Sequence, residues 1–291
     1  AIFFGADKRF RAPLPALVMA RVTNGLYYDL VAAKGEVVRE IGLRFETYCR
    51  DFLRAVFPES DWRDPLSYKI KSNPKDTPDI LLFDGDAVAL VAECKAKRMT
   101  ITARFGGDPL STAKNEFDEI AKGAFQIWRY ASHVRRGLVQ NHKMKDDALG
   151  LVITVDPWLT MSRHRYDELI ARASKLADDE GEILSEDRRP IAFCAIEDLE
   201  TLLRAADLQS FLATIRSAST PEFASWHLSD RHEKVAPGVN RKTPYPFLDR
   251  VGDALPWWRQ VEEFSRNRRS DASAAAAQRP RWRKFSPEVW A

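Results

Sequence analysis

The sequence lacks features that several common classes of protein require. It contains only 3 cysteines among 291 residues, and Cys49, Cys94 and Cys194 are far apart and surrounded by apolar residues. This number and spacing exclude a disulfide-rich fold and indicate reduced core residues of a cytoplasmic protein. No segment approaches the ~20 consecutive apolar residues of a membrane-spanning helix, so no membrane partner is predicted.

Several metal, nucleotide and targeting motifs are also missing. No CxxC or HExxH motif is present. A Gly-rich phosphate loop is also missing, so an ATPase or helicase motor is not predicted. The formal net charge of +3 is too small to indicate nucleic-acid binding by itself. The chain does not start with Met and has no signal-peptide pattern. This leaves open a longer protein, with a missing upstream domain or partner subunit.

Most of the functional information lies in one segment, PDILLFDGDAVALVAECK, from Pro78 to Lys95. It predicts two apolar strands joined by a turn. Because side chains alternate along a strand, Glu93 and Lys95 project from one face and Cys94 from the other. The strands are largely apolar on both faces, which predicts that they are central in a sheet and covered on both sides.

The position of Asp79 depends on the turn between these strands. A loop of Gly85, Asp86 and Ala87 would place Asp79 directly opposite Glu93. A tight two-residue Asp-Gly turn would shift the register by one and separate the two carboxylates, unless a bulge restored it. The sequence leaves both arrangements open.

Two carboxylates and an ammonium at the end of buried strands are costly unless a cation or a phosphate joins them. Carboxylate oxygens suit Mg²⁺, which one or two carboxylates usually hold together with phosphate oxygens of the substrate. Such an ion polarises a phosphodiester and lowers the pKa of bound water. Lys95 would orient the attacking water or neutralise developing charge. The alternative is a charged strand end that merely meets solvent.

This D…ExK segment resembles the PD-(D/E)XK nuclease superfamily, and its Glu-Cys-Lys core is most similar to Mrr-type restriction endonucleases. The resemblance covers roughly residues 35–158. It implies that Asp79 and Glu93 bind Mg²⁺ or Mn²⁺ and that Lys95 assists hydrolysis. It also implies DNA as the substrate, with RNA not excluded, a role in restriction or another defence system, and a homodimer.

A helix is predicted from Gly35 to Phe57 because its apolar residues fall within one stripe. Glu46 lies at the edge of that stripe, whereas Glu40 points toward solvent. The run from Gly42 to Glu46 resembles the GxxFE signature on the first helix of Mrr-like nucleases. That resemblance implies that Glu46 reaches the metal directly or through water. The alternative is a boundary Glu that only contacts solvent.

A second helix is predicted from Thr112 to Arg135. Within it, Gln126 and Tyr130 resemble the Gln…Tyr element of several nuclease subfamilies, including RecB-like ones. The resemblance implies that Gln126 positions a water or a phosphate and that Tyr130 stacks on the substrate or donates a hydrogen bond to it. The alternative is a half-buried Gln and an amphipathic Tyr at the helix boundary.

Basic residues around the proposed site are predicted to contact a nucleic-acid backbone. The alternative is a solvated charged face, and salt dependence would separate the two. These residues are Lys69, Lys71, Lys75, Lys97 and Arg98.

The order of elements predicts an α/β fold with a restriction-endonuclease-like core, αβββαβ, in which helices flank a central mixed sheet. Ser67–Lys71 is expected to be the first strand of a three-stranded meander, and Ala148–Val155 the strand after the crossover helix. An αβα extension follows, with a helix at Tyr166–Asp178, a strand at Pro190–Ala195 and one helix at Glu197–Ser217.

The predicted organisation of the whole chain has five parts. They are an N-terminal extension (1–34), which is either a linker or an added helix at Pro13–Val31, the nuclease core (35–160), the αβα extension (161–218), an irregular segment and C-terminal helix (219–265), and a basic disordered tail (266–291). The C-terminal helix is expected to begin at Phe247 and to carry Trp257 and Trp258.

Together these features predict a divalent-metal-dependent nuclease that hydrolyses phosphodiester bonds, most of all a DNA endonuclease. One alternative is a catalytically weak nuclease-fold module for DNA binding or assembly, since a fold does not dictate a function. Another is a metallohydrolase that acts on a small phosphoester. Metal-dependent cleavage of DNA separates the first prediction from both alternatives.

Overall fold

A computed structural model of the chain describes residues 3–4, 10–11, 24–32, 35–99, 108–158, 162–254 and 263. The chain divides into two units, Ala1–Thr243 and Pro244–Ala291, and each is described by itself. The predicted basic tail, residues 12–23 of the N-terminal extension, and Trp257 and Trp258 of the predicted last helix lie outside the described residues.

Within the described residues, the first unit contains both strands and helices. The strands are β1 (Phe3–Phe4), β2 (Phe10–Arg11), β3 (Asp61–Arg63), β4 (Ser67–Ile70), β5 (Asn73–Asp76), β6 (Ile80–Asp84), β7 (Ala87–Lys95), β8 (Lys143–Thr154) and β9 (Ile191–Ala195). The helices of this unit are α1 (Asn24–Ala32), α2 (Glu36–Val56), α3 (Pro109–Thr112), α4 (Lys114–Arg135), α5 (Arg163–Glu180), α6 (Ile196–Ala205), α7 (Leu208–Ala218) and α8 (Leu228–Val235). The second unit contains α9 (Leu248–Ala254).

A five-stranded mixed sheet forms the centre of the first unit, in the order β3-β6-β7-β8-β9. The first three of these strands form an antiparallel meander, and β8 and β9 continue the sheet in parallel with β7. Parallel neighbours require crossover connections, which α4 and α5 provide. The predicted α/β class with a mixed central sheet flanked by helices is therefore confirmed.

The first strand of the meander differs from the prediction. Ser67–Ile70 does not join the central sheet; it pairs with Asn73–Asp76 in a separate hairpin. The edge position beside β6 is taken by β3 instead, whose central residue, Trp62, is buried. The apolar residues of β4 are at most half-buried. This segment therefore contributes less to the core than Trp62 does.

A bulge decides the pairing of β6 with β7. The turn is tight, with Gly85 and Asp86 between the paired residues Asp84 and Ala87, and Gly85 has a φ of 65°. Between Leu82 and Phe83 the register then shifts, so that Ala89 is left out of the ladder. The shift aligns Ile80 with Ala92, which restores the register that a tight turn alone would lose.

Helices cover both faces of the sheet. On one face, Leu81, Val91 and Val152 share a hydrophobic core with residues of α4 and α5. Helix α2 contacts β7 on the other face. Because of the bulge, Val88 rather than Ala89 joins Leu81 in this core.

The predicted helices flanking the central strands are present with similar bounds, but the C-terminal region contains two corrections. The single helix predicted at 197–217 is two helices, because Asp207 caps α7 by accepting a hydrogen bond from the backbone N–H of Ser210. The segment predicted as irregular contains α8, whose first turn is capped by Asp198 through the backbone N–H groups of Leu228 and Ser229. A cap from a residue thirty positions away leaves no local sequence signal.

Candidate active site

The site lies where β6 begins and β7 ends. One carboxylate oxygen of Asp79, Oδ2, accepts a hydrogen bond of 2.7 Å from the backbone N–H of Cys94. Because the bulge aligns Ile80 with Ala92, the residue before Ile80 lies across from Glu93. The structure therefore brings Asp79 and Glu93 together, on a register that the turn length alone does not determine.

Glu93, Lys95 and Gln126 form a hydrogen-bonded cluster. Lys95 Nζ donates to Glu93 Oε1 over 2.9 Å and to Gln126 Oε1 over 2.6 Å. The side chains of Glu93 and Lys95 are 5% and 13% exposed, so the ion pair is largely shielded from water. Gln126 reaches the pair from α4, which packs across the end of β7. Lys95 has three N–H donors, and these contacts use two of them.

Glu93 is only half satisfied. Its other carboxylate oxygen, Oε2, is buried and has no hydrogen-bond partner among the described residues. An unpaired carboxylate oxygen in a shielded site costs free energy unless a further positive group contacts it. Glu93 Oε2 therefore lacks a polar or cationic partner among the described residues.

Asp79 has the most unfavourable ionisation of the site. Burial, followed by the charges of Glu93 and Glu46, raises the pKa of Asp79 to about 8, although the Cys94 N–H and Lys95 act in the opposite direction. Lys95 alone does not compensate the negative charge of three neighbouring carboxyl groups. A divalent cation at this position would lower the pKa of Asp79 again.

Glu46 projects from α2 toward the same cluster. It is half-buried, and burial, followed by the charge of Glu93, raises its pKa. Glu40, earlier in the same helix, instead forms an exposed ion pair with Arg44. The structure thus places Glu46 in electrostatic contact with Glu93 and leaves Glu40 in solvent.

Cys94 lies between Glu93 and Lys95 in β7, but its side chain does not join their cluster. Its side chain points to the opposite face of the sheet, where it contacts Cys49 of α2. A hydrogen bond with Cys49, and then burial, raises the pKa of the Cys94 thiol well above its usual value. A protonated, buried thiol is a poor nucleophile, so Cys94 acts here through its backbone N–H.

Two further residues belong to the site although the sequence did not single them out. Arg50 of α2 donates to the backbone carbonyl of Asp79 over 3.2 Å and pairs with Asp64 over 3.0 Å, which holds the start of β6 against α2. Gly123 of α4 lies so close to Lys95 that a Cβ there would be 3.2 Å from Lys95 Cε and 3.2 Å from Val152 Cγ1. A Gly at this point of a helix lets the lysine stem lie flat against α4.

The structure does not bring Tyr130 to this site. Tyr130 is 2% exposed, and its hydroxyl is 2.6 Å from Nδ1 of His142, in the core beside Phe83. It cannot stack on a substrate from there, so its expected role is corrected. Helical geometry explains the difference. Tyr130 lies four positions after Gln126, and the boundary between the half-buried and the buried side of α4 passes between these two residues.

The basic residues that were predicted to contact phosphates lie in two places, after β7 and on the β4–β5 hairpin. Arg98 is largely committed to structure, because it pairs with the buried carboxylate of Asp156 over 3.2 Å, which corrects its expected role. Lys97 is half-buried directly after β7. Lys69, Lys71 and Lys75 lie on the β4–β5 hairpin, and among the described residues none of the three forms an ion pair.

The site offers the carboxylates of Asp79 and Glu93 and a third nearby, rather than a complete metal cage. Within the part of the chain that the structure describes, no group of three or more His, Cys, Asp or Glu side chains is arranged to hold a metal ion. Mg²⁺ usually binds one or two carboxylates and completes its coordination with water and substrate oxygens. The unpaired Glu93 Oε2 and the raised pKa of Asp79 fit such an ion.

Comparisons with known proteins found no matching family model, no matching curated protein and no matching solved structure. Among the described helices, none is both long and apolar enough to cross a membrane. The function is therefore inferred from the geometry and electrostatics of the residues around Asp79.

Proposed function

We propose that this protein is a divalent-metal-dependent nuclease that hydrolyses phosphodiester bonds in DNA by endonucleolytic attack. The observation that carries the proposal is the convergence of Asp79, Glu93 and Lys95 at one end of two central strands, with a buried carboxylate oxygen left unpaired. Buried charges of this kind are retained at functional sites because a structural role would be better served by apolar residues.

Asp79 and Glu93 would hold the ion, and Glu46 would add a further carboxylate to it. When bound, Mg²⁺ or Mn²⁺ supplies Lewis-acid polarisation of the phosphodiester and lowers the pKa of a coordinated water. Its positive charge would also offset the burial and the carboxylate repulsion that raise the pKa of Asp79. This explains why three carboxyl groups are kept close together in a largely apolar setting.

Lys95 and Gln126 would act on the substrate side. Lys95 Nζ is held by Glu93 and Gln126, and its third N–H can donate to a phosphate oxygen as negative charge develops there. Since Gln126 accepts from Lys95 through its carbonyl oxygen, its amide N–H groups are left to donate to a water or a phosphate. A lysine fixed at both sides costs little reorganisation during the reaction.

DNA as the substrate, and restriction or another defence role as the setting, follow from the resemblance to Mrr-type restriction endonucleases. The lysines of the β4–β5 hairpin, which ends three residues before Asp79, support a polyanionic substrate. A small phosphoester would need no such extended basic surface.

Cleavage of supercoiled plasmid tests the proposal directly. Wild type is expected to nick plasmid in Mg²⁺ or Mn²⁺ and not in EDTA, and Lys95→Ala and Asp79→Asn are expected to lose this activity. Lys145→Ala is the matched control, because Lys145 pairs with Asp84 at the opposite end of the sheet. This variant should cleave plasmid as wild type does.

Calorimetric titration with Mn²⁺ provides a second readout that does not depend on turnover. Wild type and Lys145→Ala should bind the ion, and Asp79→Asn and Glu93→Gln should bind it weakly or not at all. Salt-sensitive DNA binding without cleavage or metal binding would contradict the proposal and support a binding or assembly module. Equal cleavage by wild type and Lys95→Ala would show that the site is misplaced.

A further inference from the structure

Helix α4 carries two more polar residues on the face that holds Gln126. In a helix, residues three and seven positions apart lie on the same side, so Arg129 and His133 follow Gln126 along one face. The apolar residues of α4 form the opposite side, which packs into the core. At 1.5 Å per residue, Arg129 lies about 4.5 Å further along the helix axis than Gln126.

Arg129 has no counter-charge within the described residues, where it forms no ion pair. Its guanidinium carbon lies 5.1 Å from the centre of the Phe125 ring, which holds the side chain in place without using its N–H donors. An arginine that is fixed by an aromatic ring and keeps its donors available is suited to bind a phosphate.

The β4–β5 hairpin brings a second unpaired cation to the same place. Its base is closed by reciprocal hydrogen bonds between Leu66 and Thr77. Its side is tied to α4 by Tyr68, whose hydroxyl is 2.7 Å from Nδ1 of His133. Lys75 is the cross-strand partner of Tyr68, and paired residues project from the same face of a hairpin. Lys75 therefore points toward α4 as Tyr68 does.

The electrostatics at His133 show that these cations converge. Burial, followed by the charges of Arg129, Arg136 and Lys75, lowers the pKa of His133 to about 4. Arg136 is neutralised by an ion pair with Glu182. The other acid near the ring, Glu180, is 3.9 Å from Nε2 of His133. Arg129 and Lys75 remain as the two cations without a carboxylate partner in the described structure.

We infer that Arg129 and Lys75 form a phosphate-binding groove between α4 and the β4–β5 hairpin, which holds the DNA backbone next to the scissile phosphate. This inference rests on the proposed function and deepens it, because it gives the substrate a path. The strand would pass from Lys95 and Gln126 along α4 to the hairpin.

Binding of a fluorescently labelled DNA duplex in EDTA, over a range of salt concentrations, tests this groove. Each phosphate contact contributes about 0.9 to the slope of log K against log salt. Arg129→Gln and Lys75→Gln are each expected to weaken binding and to lower the slope by about this amount. Arg129→Lys, which keeps the charge, should retain the slope.

Two variants on the other face of the sheet, beside α7, serve as matched controls. Arg216 pairs with Asp147 and Lys145 pairs with Asp84, so Arg216→Gln and Lys145→Gln remove the same charges away from the groove. Both should bind DNA with the slope of wild type. In plasmid cleavage, Arg129→Gln should raise KM and leave kcat close to that of wild type, because it removes binding that is equal in the ground and transition states.

The outcomes separate the groove from the proposed function. Metal-dependent cleavage that requires Lys95, together with unchanged salt slopes for Arg129→Gln and Lys75→Gln, would refute the groove and leave the nuclease standing. A wild-type protein that neither binds nor cleaves DNA would refute both. A slope lowered equally by the groove variants and by the controls would reflect net charge alone and would also refute the groove.

Discussion

Replacement of Asp79 by Asn should stabilise the protein while it abolishes the proposed activity. Asp79 is the group with the most unfavourable ionisation in the site, since burial and then Glu93 and Glu46 raise its pKa to about 8. The side-chain amide of Asp79→Asn keeps an oxygen that can accept the hydrogen bond from the Cys94 backbone. The substitution therefore removes the free-energy cost of keeping Asp79 protonated in the folded state, without removing its main polar contact.

The sign and size of the effect follow from proton linkage. In the unfolded chain the pKa of Asp79 is near 3.8, and in the folded protein it is about 8, so the folded state keeps a proton that the unfolded state loses. Stability from this group is present below pH 4 and is lost as the pH rises toward 8. Each pH unit costs about 1.4 kcal/mol, so the loss between pH 4 and pH 7 is on the order of 4 kcal/mol.

Urea unfolding in EDTA at several pH values measures this effect. Asp79→Asn should be more stable than wild type at pH 7, and the difference should shrink as the pH falls toward 4. Asp86→Asn is the matched control, because Asp86 is exposed in the turn and Lys143 lowers its pKa; it should give no gain. Equal or lower stability of Asp79→Asn at pH 7 would refute the electrostatic reasoning.

Added Mn²⁺ should then narrow the difference in stability between Asp79→Asn and wild type. A ligand that binds the folded state at one hundred times its Kd stabilises it by about 2.7 kcal/mol. Wild type should gain stability from the ion and Asp79→Asn should not. A gain of the same size in both proteins would show that the ion binds elsewhere.

Two further substitutions test residues on α4. Gly123→Ala should gain up to about 1 kcal/mol of helix propensity, but its Cβ would lie 3.2 Å from Lys95 Cε. Displacement of Lys95 should lower kcat by up to about 100-fold. Unchanged kcat in plasmid cleavage would refute the role of this close approach. Tyr130→Phe should leave cleavage unchanged. It should lower the free energy of unfolding in urea by about 1–3 kcal/mol, because Nδ1 of His142 loses its buried partner. A loss of cleavage without a loss of stability would show that Tyr130 takes part in the site.

Short periodic patterns in the sequence are sufficient for much of the fold. The alternation along β7 placed Glu93 and Lys95 on one face and Cys94 on the other, and the apolar stripe of α2 predicted its bounds to within one residue at each end. The apolar faces of the central strands predicted that helices cover both sides of the sheet. These properties depend on backbone geometry, which is the same in every strand and helix.

Properties that depend on contacts between distant segments were not predictable in the same way. The competition between β3 and β4 for the edge of the sheet depends on how well Trp62 packs. The capping of α8 depends on Asp198, which lies thirty residues away from Leu228. Neither contact leaves a mark in the local sequence of the segment that it organises.

The candidate site shows the same division. Residue type and spacing were enough to identify the side chains that carry its proposed chemistry, Asp79, Glu93 and Lys95. The folded chain was needed to show that a bulge at Ala89 brings Asp79 to Glu93, and that Arg129 rather than Tyr130 shares the half-buried face of Gln126. Register and helix rotation are set by packing across the whole sheet, and a single segment does not contain that information.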